Sequence, residues 1–464
     1  MDAKLRDISL KSVKIRLLKL TVLLLCLVYL VMAGGTYNGM VLFQFQRANV
    51  VLAVIIGVAG GGWMAWQTRR GSIGLKTPLD LAIPVWLAVI ALACTFSTYS
   101  RLSWEVFPQA LALAMLFYLV VTLIRSGWDE ALWANALLIS AGVVAAFGLL
   151  ELGLWYAKWF AIGGWGDLVP PATYRVRSTL GHPNIAAAYL NLMLPLALAG
   201  VMLARSWVNR ALLLFEAVLM LALVFFTSSR GGWVATAAAL GVFALLLALD
   251  HPREVKRGLA WGMRRPLVVA GLVVLLLGVL SVVGLFLYRQ MQHPSHPGLS
   301  NPANARDYIW SVALSMFQQS PLLGKGPQTF GLEFMRTYSY PQSMLLAHAH
   351  NYLLNALAEM GMAGFMSSAF LGAMLVLAGF RRWYSSPLGG RTFLAGLAAS
   401  LIGLAVHSQF DTPQTVLLIN LVAAVLCAML VAPVHTSFVK LPGPRLVERV
   451  PPAAWWGLGL GLFL

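Results

Sequence analysis

Apolar runs of near-membrane length follow one another along the chain, separated by short polar breaks. Each approaches the ~20 residues that a helix needs to cross a bilayer core. None shows apolar–polar alternation, so helices, and not a barrel, satisfy the backbone in lipid. Spans are expected near 17–34, 49–67, 80–97, 104–124, 130–152, 184–204, 210–228, 232–249, 266–288, 351–379, 393–409 and 413–433, twelve in all. A thirteenth run begins at "PAAWWGLGLGLFL" and stops before completing a span, so the natural chain is expected to continue. The first run is too long for a signal-peptide core and is expected to stay as a span.

This pattern divides the chain into five sections. Spans one to five occupy 1–152, a first outer loop 153–183, and spans six to nine 184–288; a large loop covers 289–350 and the C-terminal spans 351–464. Within the large loop, Ile309, Val312, Ala313, Met316 and Phe317 recur at helical spacing and predict an amphipathic helix. Pro321 and the "GKGP" turn end it. The fold class is therefore an all-α polytopic membrane protein of about twelve transmembrane helices with two long loops on one side.

Composition agrees: 59% of residues are hydrophobic and 11% charged, against roughly 25% charged in soluble domains. The formal charge of +17 does not indicate nucleic acid, because most basic residues flank apolar runs in short loops. Cys26, Cys94 and Cys427 sit inside apolar runs and show neither metal spacing nor a disulfide framework.

Charge also sets the orientation. The start carries Lys4, Arg6, Lys11, Lys14, Arg16 and Lys19 and is expected to be cytoplasmic. Alternation then places Arg69, Arg70 and Lys76, Arg125, Arg205 and Arg210, the run "HPREVKRGLAWGMRR", Arg381 and Arg382, and "VKLPGPRLVER" on the same side. Both long loops fall on the other side.

Arginines on that outer face are few and therefore informative. Arg175 and Arg177 lie in "TYRVRSTLGHPN", Arg230 in the tight turn "TSSRGGW", and Arg306 at the start of the amphipathic helix. Singly, each has a bland reading: a solvated helix start for Arg306, snorkelling to headgroups for Arg230. Jointly, four guanidiniums at one helical mouth suit phosphate oxygens, and a phosphate-bearing lipid is the expected ligand.

The stretch "AHAHNYLLNALAEMGMAG" (347–364) adds an imidazole at the same level. His350 suits a general base, since histidine titrates near neutrality. Asn351, Asn355 and Glu359 follow at four-residue steps and form a polar stripe, for which bonding between neighbouring helices is the plainer role. His348 reads equally as an interfacial loop residue. A metal held by His348 and His350 lacks further ligands, and none is expected.

His350-Asn351, nine residues, then Gly361-Met362-Ala363-Gly364 resembles the signature of bacterial O-antigen ligases. "TSSRGGW", "STLGHPNIAAAYL" and "SPLLGKGPQTF" resemble further family segments, so the likeness covers roughly residues 170–430. The resemblance implies an inner-membrane glycosyltransferase, N-terminus cytoplasmic and active site facing the periplasm. It would move a glycan from an undecaprenyl-diphosphate-linked donor to a hydroxyl of the lipid A–core acceptor. His350 becomes the candidate base, Arg230 a candidate diphosphate ligand, and Arg175 or Arg177 another, with Arg306, His348 and Asn351 as further substrate-binding candidates. Guanidiniums in place of a metal would stabilise the leaving group, and in-line displacement would invert the anomeric carbon. No cofactor is expected.

The signature is shared less strictly by O-antigen polymerases and by protein O-oligosaccharyltransferases, which differ in acceptor. A lipid-linked glycan flippase or transporter is the reading from another class, for which Asp80, Glu105 and Glu216 in or near spans speak. The absence of sequence-related halves speaks against it.

Overall fold

The computed structural model describes residues 55–63, 65, 69, 77–163, 174–253, 274, 304–337 and 347–433. Among these residues every regular element is helical, and seven helices are long and apolar enough to cross a membrane. The chain is an all-α polytopic membrane protein, as its apolar runs require. The span expected at 17–34 and the run after residue 451 lie outside the described residues, as does 266–288 apart from residue 274; of 49–67 only 55–63 and 65 are described.

The apolar helices are α1 (Ala82–Thr95), α2 (Val106–Arg125, preceded by the turn Ser100–Ser103), α3 (Glu130–Ala161), α4 (Pro183–Leu203), α5 (Trp207–Phe226) and α6 (Arg230–Asp250). The second long loop contributes α7 (Asn304–Gln319) and α8 (Phe330–Thr337); α9 (Tyr352–Ser385), α10 (Leu388–His407) and α11 (Leu417–Val431) complete the order. Side chains in the polar breaks start several of them. Asp129 accepts from the Ala131 N–H (2.9 Å), Ser206 from Asn209 (3.2 Å), Ser229 from Gly232 (3.2 Å) and Asn351 from Leu354 (3.0 Å).

Two helices run past the expected boundaries. Helix α3 continues to Ala161, into the segment expected to be loop. Its extension carries Trp155 stacked on Trp159 and Tyr156 beside Phe160, so i,i+4 aromatic pairs prolong the helix beyond the expected span. Helix α9 reaches Ser385 because Arg382, near its end, is anchored: its guanidinium donates to Glu130 Oε2 (2.7 Å) and to the Met429 carbonyl.

Helix α4 forms the centre. Of residues 183–199 all but Asn184 and Leu198 are buried, and the helix packs against α3, α5, α6 and α10. Small residues permit close approach: a Cβ on Gly396 of α10 would lie 2.9 Å from the Ala199 Cβ of α4.

Among the described residues, Arg125, Arg382 and Arg391 meet at one end. Arg125 donates to the Ala432 carbonyl (2.8 Å) and Arg391 to Asp250 (3.0 Å), beside the Arg382–Glu130 pair. Arg125 and Arg382 thereby satisfy carbonyls at the C-terminus of α11, where the helix dipole favours cations. The described parts of the two long loops, 174–183, 304–337 and 347–350, gather at the other end.

The expected amphipathic helix is α7, with Ile309, Val312, Ala313 and Met316 buried against Phe330, Phe334, Ala349 and Ala358. A break in α9 fastens this loop to the bundle. Gly361 has φ 62° and ψ −160°, a conformation that only glycine adopts readily. The break frees two carbonyls and two amides of the helical ladder, and the 321–326 turn satisfies all four. Lys325 N–H donates to the Ala358 carbonyl (3.1 Å) and Gly326 N–H to Glu359 (2.9 Å); in return Met362 N–H donates to Pro321 (2.8 Å) and Ala363 N–H to Leu322 (3.0 Å). The "GKGP" turn and the Gly361 signature are thus two halves of one backbone joint.

Candidate functional site

His350 stands between that joint and α10. Its backbone is left-handed (φ 50°), uncommon for a residue other than glycine, and its neighbours hold it there. Asn355 accepts from the Ala349 N–H (3.0 Å), Trp310 donates to the Ala349 carbonyl (3.2 Å), and Tyr352 N–H donates to the Ser408 carbonyl (2.7 Å). The polar stripe is structural: Asn355 donates to Glu359 Oε2 (2.9 Å), whose Oε1 accepts from the Phe330 N–H (3.1 Å). Asn351 spends its amide on the α9 cap and on the Gln409 carbonyl (3.1 Å).

The imidazole Nδ1 of His350 lies 2.8 Å from Asp411 Oδ1, in the connection between α10 and α11. A carboxylate only accepts, so Nδ1 carries a proton, and in the neutral imidazole Nε2 keeps its lone pair. Asp411 Oδ1 also accepts from the Thr412 N–H (2.8 Å), and Oδ2 from the Asn184 amide (2.5 Å). Burial alone would raise the Asp411 carboxyl. The His350 imidazole, the Thr412 N–H and the Asn184 amide outweigh it and hold the group well below the usual carboxylate range.

The bonds continue to the arginines. Asn184 Oδ1 accepts from Arg175 (3.1 Å), and Arg175 Nε donates to the Thr227 carbonyl (3.0 Å), three residues before Arg230. Arg306 donates to the Phe410 carbonyl (2.9 Å), next to Asp411. Arg177 and Arg230 expose their side chains, and Arg175 lies within electrostatic reach of both; Arg306 lies within reach of Arg230. Burial pulls the Arg175 guanidinium below its ordinary value; Asp411 opposes this, while the Arg177 and Arg230 charges add to it. Arg230 is delivered by a strained turn, since Ser228 is left-handed (φ 51°) and Ser229 caps α6.

His348 sits within reach of His350 and Asp411, and burial, followed by the neighbouring His350, pushes it down to about 4. It is neutral at physiological pH. His182, which precedes α4, is likewise lowered by burial. Among the described residues no three His, Cys, Asp or Glu side chains are grouped to hold a metal ion.

Arg175, Arg177, Arg230, Arg306, His348, His350 and Asn351 therefore lie at this one end of the bundle. Sequence reading missed Asp411, Asn184 and Glu151. Asp411 is an acidic residue in the outer connection "SQFDTPQ", and Asn184 closes the quoted "GHPN". Glu151 accepts from the Arg177 and Ser178 amides (3.0 and 2.7 Å) and from the Tyr174 hydroxyl (2.5 Å), fixing the segment that carries the two arginines.

Residues 215–369 match the family model described as O-antigen ligase. The matched segment includes Arg230, Arg306, His348, His350 and Gly361; Arg175, Asn184 and Asp411 fall outside it. No curated protein matches the chain.

Proposed function

We propose, from the match of residues 215–369 to the O-antigen ligase family model in a polytopic membrane protein, that the chain is an inverting, metal-independent glycosyltransferase. It takes a glycan from undecaprenyl diphosphate and places it on a hydroxyl of lipid A–core. The site faces the periplasm of the bacterial inner membrane, and the basic loops at the opposite end face the cytoplasm.

The observation that carries this reading is the His350–Asp411 pair, with Nδ1 at 2.8 Å from the carboxylate and Nε2 left as the base, beside a group of guanidiniums. Nε2 takes the proton of the acceptor hydroxyl as its oxygen bonds to the anomeric carbon. The bond from that carbon to the diphosphate oxygen breaks, and the electron pair leaves with undecaprenyl diphosphate. Asp411 holds the ring and stabilises the imidazolium, as carboxylates do in comparable pairs. Arg177, Arg230 and Arg306 meet the growing charge on the leaving group, which is the largest single contribution expected in such a displacement. Clustered guanidiniums repel one another without an anion, so the site favours a diphosphate. His348 and Asn351 border the acceptor side.

The test is transfer in detergent, without a membrane gradient, from a lipid-diphosphate glycan to lipid A–core, to an acceptor protein, or to a second lipid-linked glycan in separate reactions. The expected result is labelled lipid A–core and released undecaprenyl diphosphate. Labelling of either other acceptor alone would reassign the enzyme within its chemistry. Failure with all three, together with glycan movement across vesicles, would replace it with a transporter.

A further inference from the structure

We propose that Asn184 is a positioning residue that locks the base to the turn carrying Arg230, and that Arg175 serves this bridge and not the phosphate. The inference rests on the catalytic reading of His350. Four hydrogen bonds form the bridge: His350 to Asp411 (2.8 Å), Asn184 to Asp411 (2.5 Å), Arg175 to Asn184 (3.1 Å) and Arg175 to the Thr227 carbonyl (3.0 Å).

Each link has a forced direction. A carboxylate accepts and a guanidinium donates, so the Asn184 amide is oriented by charge on both sides, Nδ2 to Asp411 and Oδ1 to Arg175. The amide carries its donor and its acceptor on separate atoms, so it can face both charged partners at once. Asn184 occupies the second position of α4, a largely buried helix, so its backbone is a rigid mount. Thr227 is fixed as well: its hydroxyl donates to Val224 (2.7 Å) and accepts from the Ser229 N–H (3.2 Å). The amide therefore sets the carboxylate rotamer, so that Oδ1 and not Oδ2 faces the imidazole, and it registers this pair against Arg230. Two of the Arg175 nitrogens are spent within the protein, whereas Arg177 extends into solvent.

The experiment compares Asn184→Leu and Asn184→Asp with the parent, by kcat, donor KM and pH profile of transfer. Asn184→Leu removes both bonds and is expected to lower kcat about 10- to 100-fold, the usual cost of losing such a partner, with donor KM unchanged. Asn184→Asp places two carboxyls in contact, where they share a proton. Protonated, the new carboxyl donates to Asp411 as the amide did; as pH rises it loses that proton and the bond. The ratio of its kcat to the parent's should therefore be highest at acid pH and fall with rising pH. A residue needed only for packing would give a pH-independent ratio, and that result overturns the proposal even if Asn184→Leu fails to fold. Parent-like kcat in both variants overturns it too. If His350→Ala abolishes transfer while the Asn184 variants match the parent, only this inference fails; if His350→Ala is active, the catalytic reading fails first.

Discussion

His350 and Asp411 are 61 positions apart in sequence, and their side chains meet at 2.8 Å between the start of α9 and the end of α10. The contact fixes which imidazole nitrogen is free. Asp411→Asn keeps the shape but replaces an acceptor with an amide that donates to Nδ1. The proton then moves to Nε2 and blocks the base. Transfer kcat is expected to fall by roughly two to four orders of magnitude, with melting temperature little changed. Parent-like turnover of this variant would detach the carboxylate from the chemistry.

Arg230 is exposed at the start of α6, on a turn fixed by Ser228 and Ser229. Its guanidinium fork fits two phosphate oxygens, whereas lysine offers a single point charge. Arg230→Ala should lower kcat/KM for the lipid-diphosphate donor by on the order of 10²–10³, and Arg230→Lys by clearly less. Steady-state kinetics at varied donor concentration separates the variants. Equal, parent-like values for both would return Arg230 to lipid snorkelling.

The joint at Gly361 makes a structural prediction. A Cβ there would stand 2.5 Å from the Leu322 carbonyl carbon and oxygen, on a backbone that already disfavours L residues. Gly361→Ala is expected to cost about 2 kcal/mol or more and to loosen the α7–α8 loop. Gly372, further along the same helix, has nothing within 4 Å of its would-be Cβ, and Gly372→Ala should be neutral or stabilising by up to about 1 kcal/mol. Thermal melting in detergent, with proteolysis of the loop as a second readout, checks the contrast.

His348 gives the site an acid sensitivity. Folded, burial holds it at about 4, against an ordinary value of 6.5. Between those values the unfolded segment binds the proton and the folded one does not, so stability falls as pH drops from 6.5 toward 4. His348→Gln removes that slope. Melting temperatures of parent and variant should converge as pH is lowered from 7 to 5, provided the variant starts lower; parallel curves would contradict the assignment.

Seven spans among the described residues were legible because lipid forces apolar runs into helices, and Arg125 and Arg382, expected on one side, do lie together. His350, Arg230 and Arg306 were legible as polar groups that spanning does not require. Asp411 was not, because one acidic residue in a short outer connection carries no spacing signal, and its partners Asn184 and His350 come from distant helices. Arg175 and Arg177 look equivalent in sequence; only the carbonyl of Thr227 and the amide of Asn184 separate the inward side chain from the exposed one. The kink in α9 was hidden for a related reason. A Gly-x-x-Gly in an apolar helix reads as packing, until the "GKGP" turn supplies the four backbone bonds that the break requires.

The most direct measurement is the initial rate of glycan transfer by His350→Ala in the reconstituted reaction, with donor binding and melting recorded on the same preparation. The imidazole acting as base requires a loss of about 10²–10⁴ in kcat, with binding and melting preserved. A variant that folds, binds donor and transfers glycan at the parent's rate would contradict it.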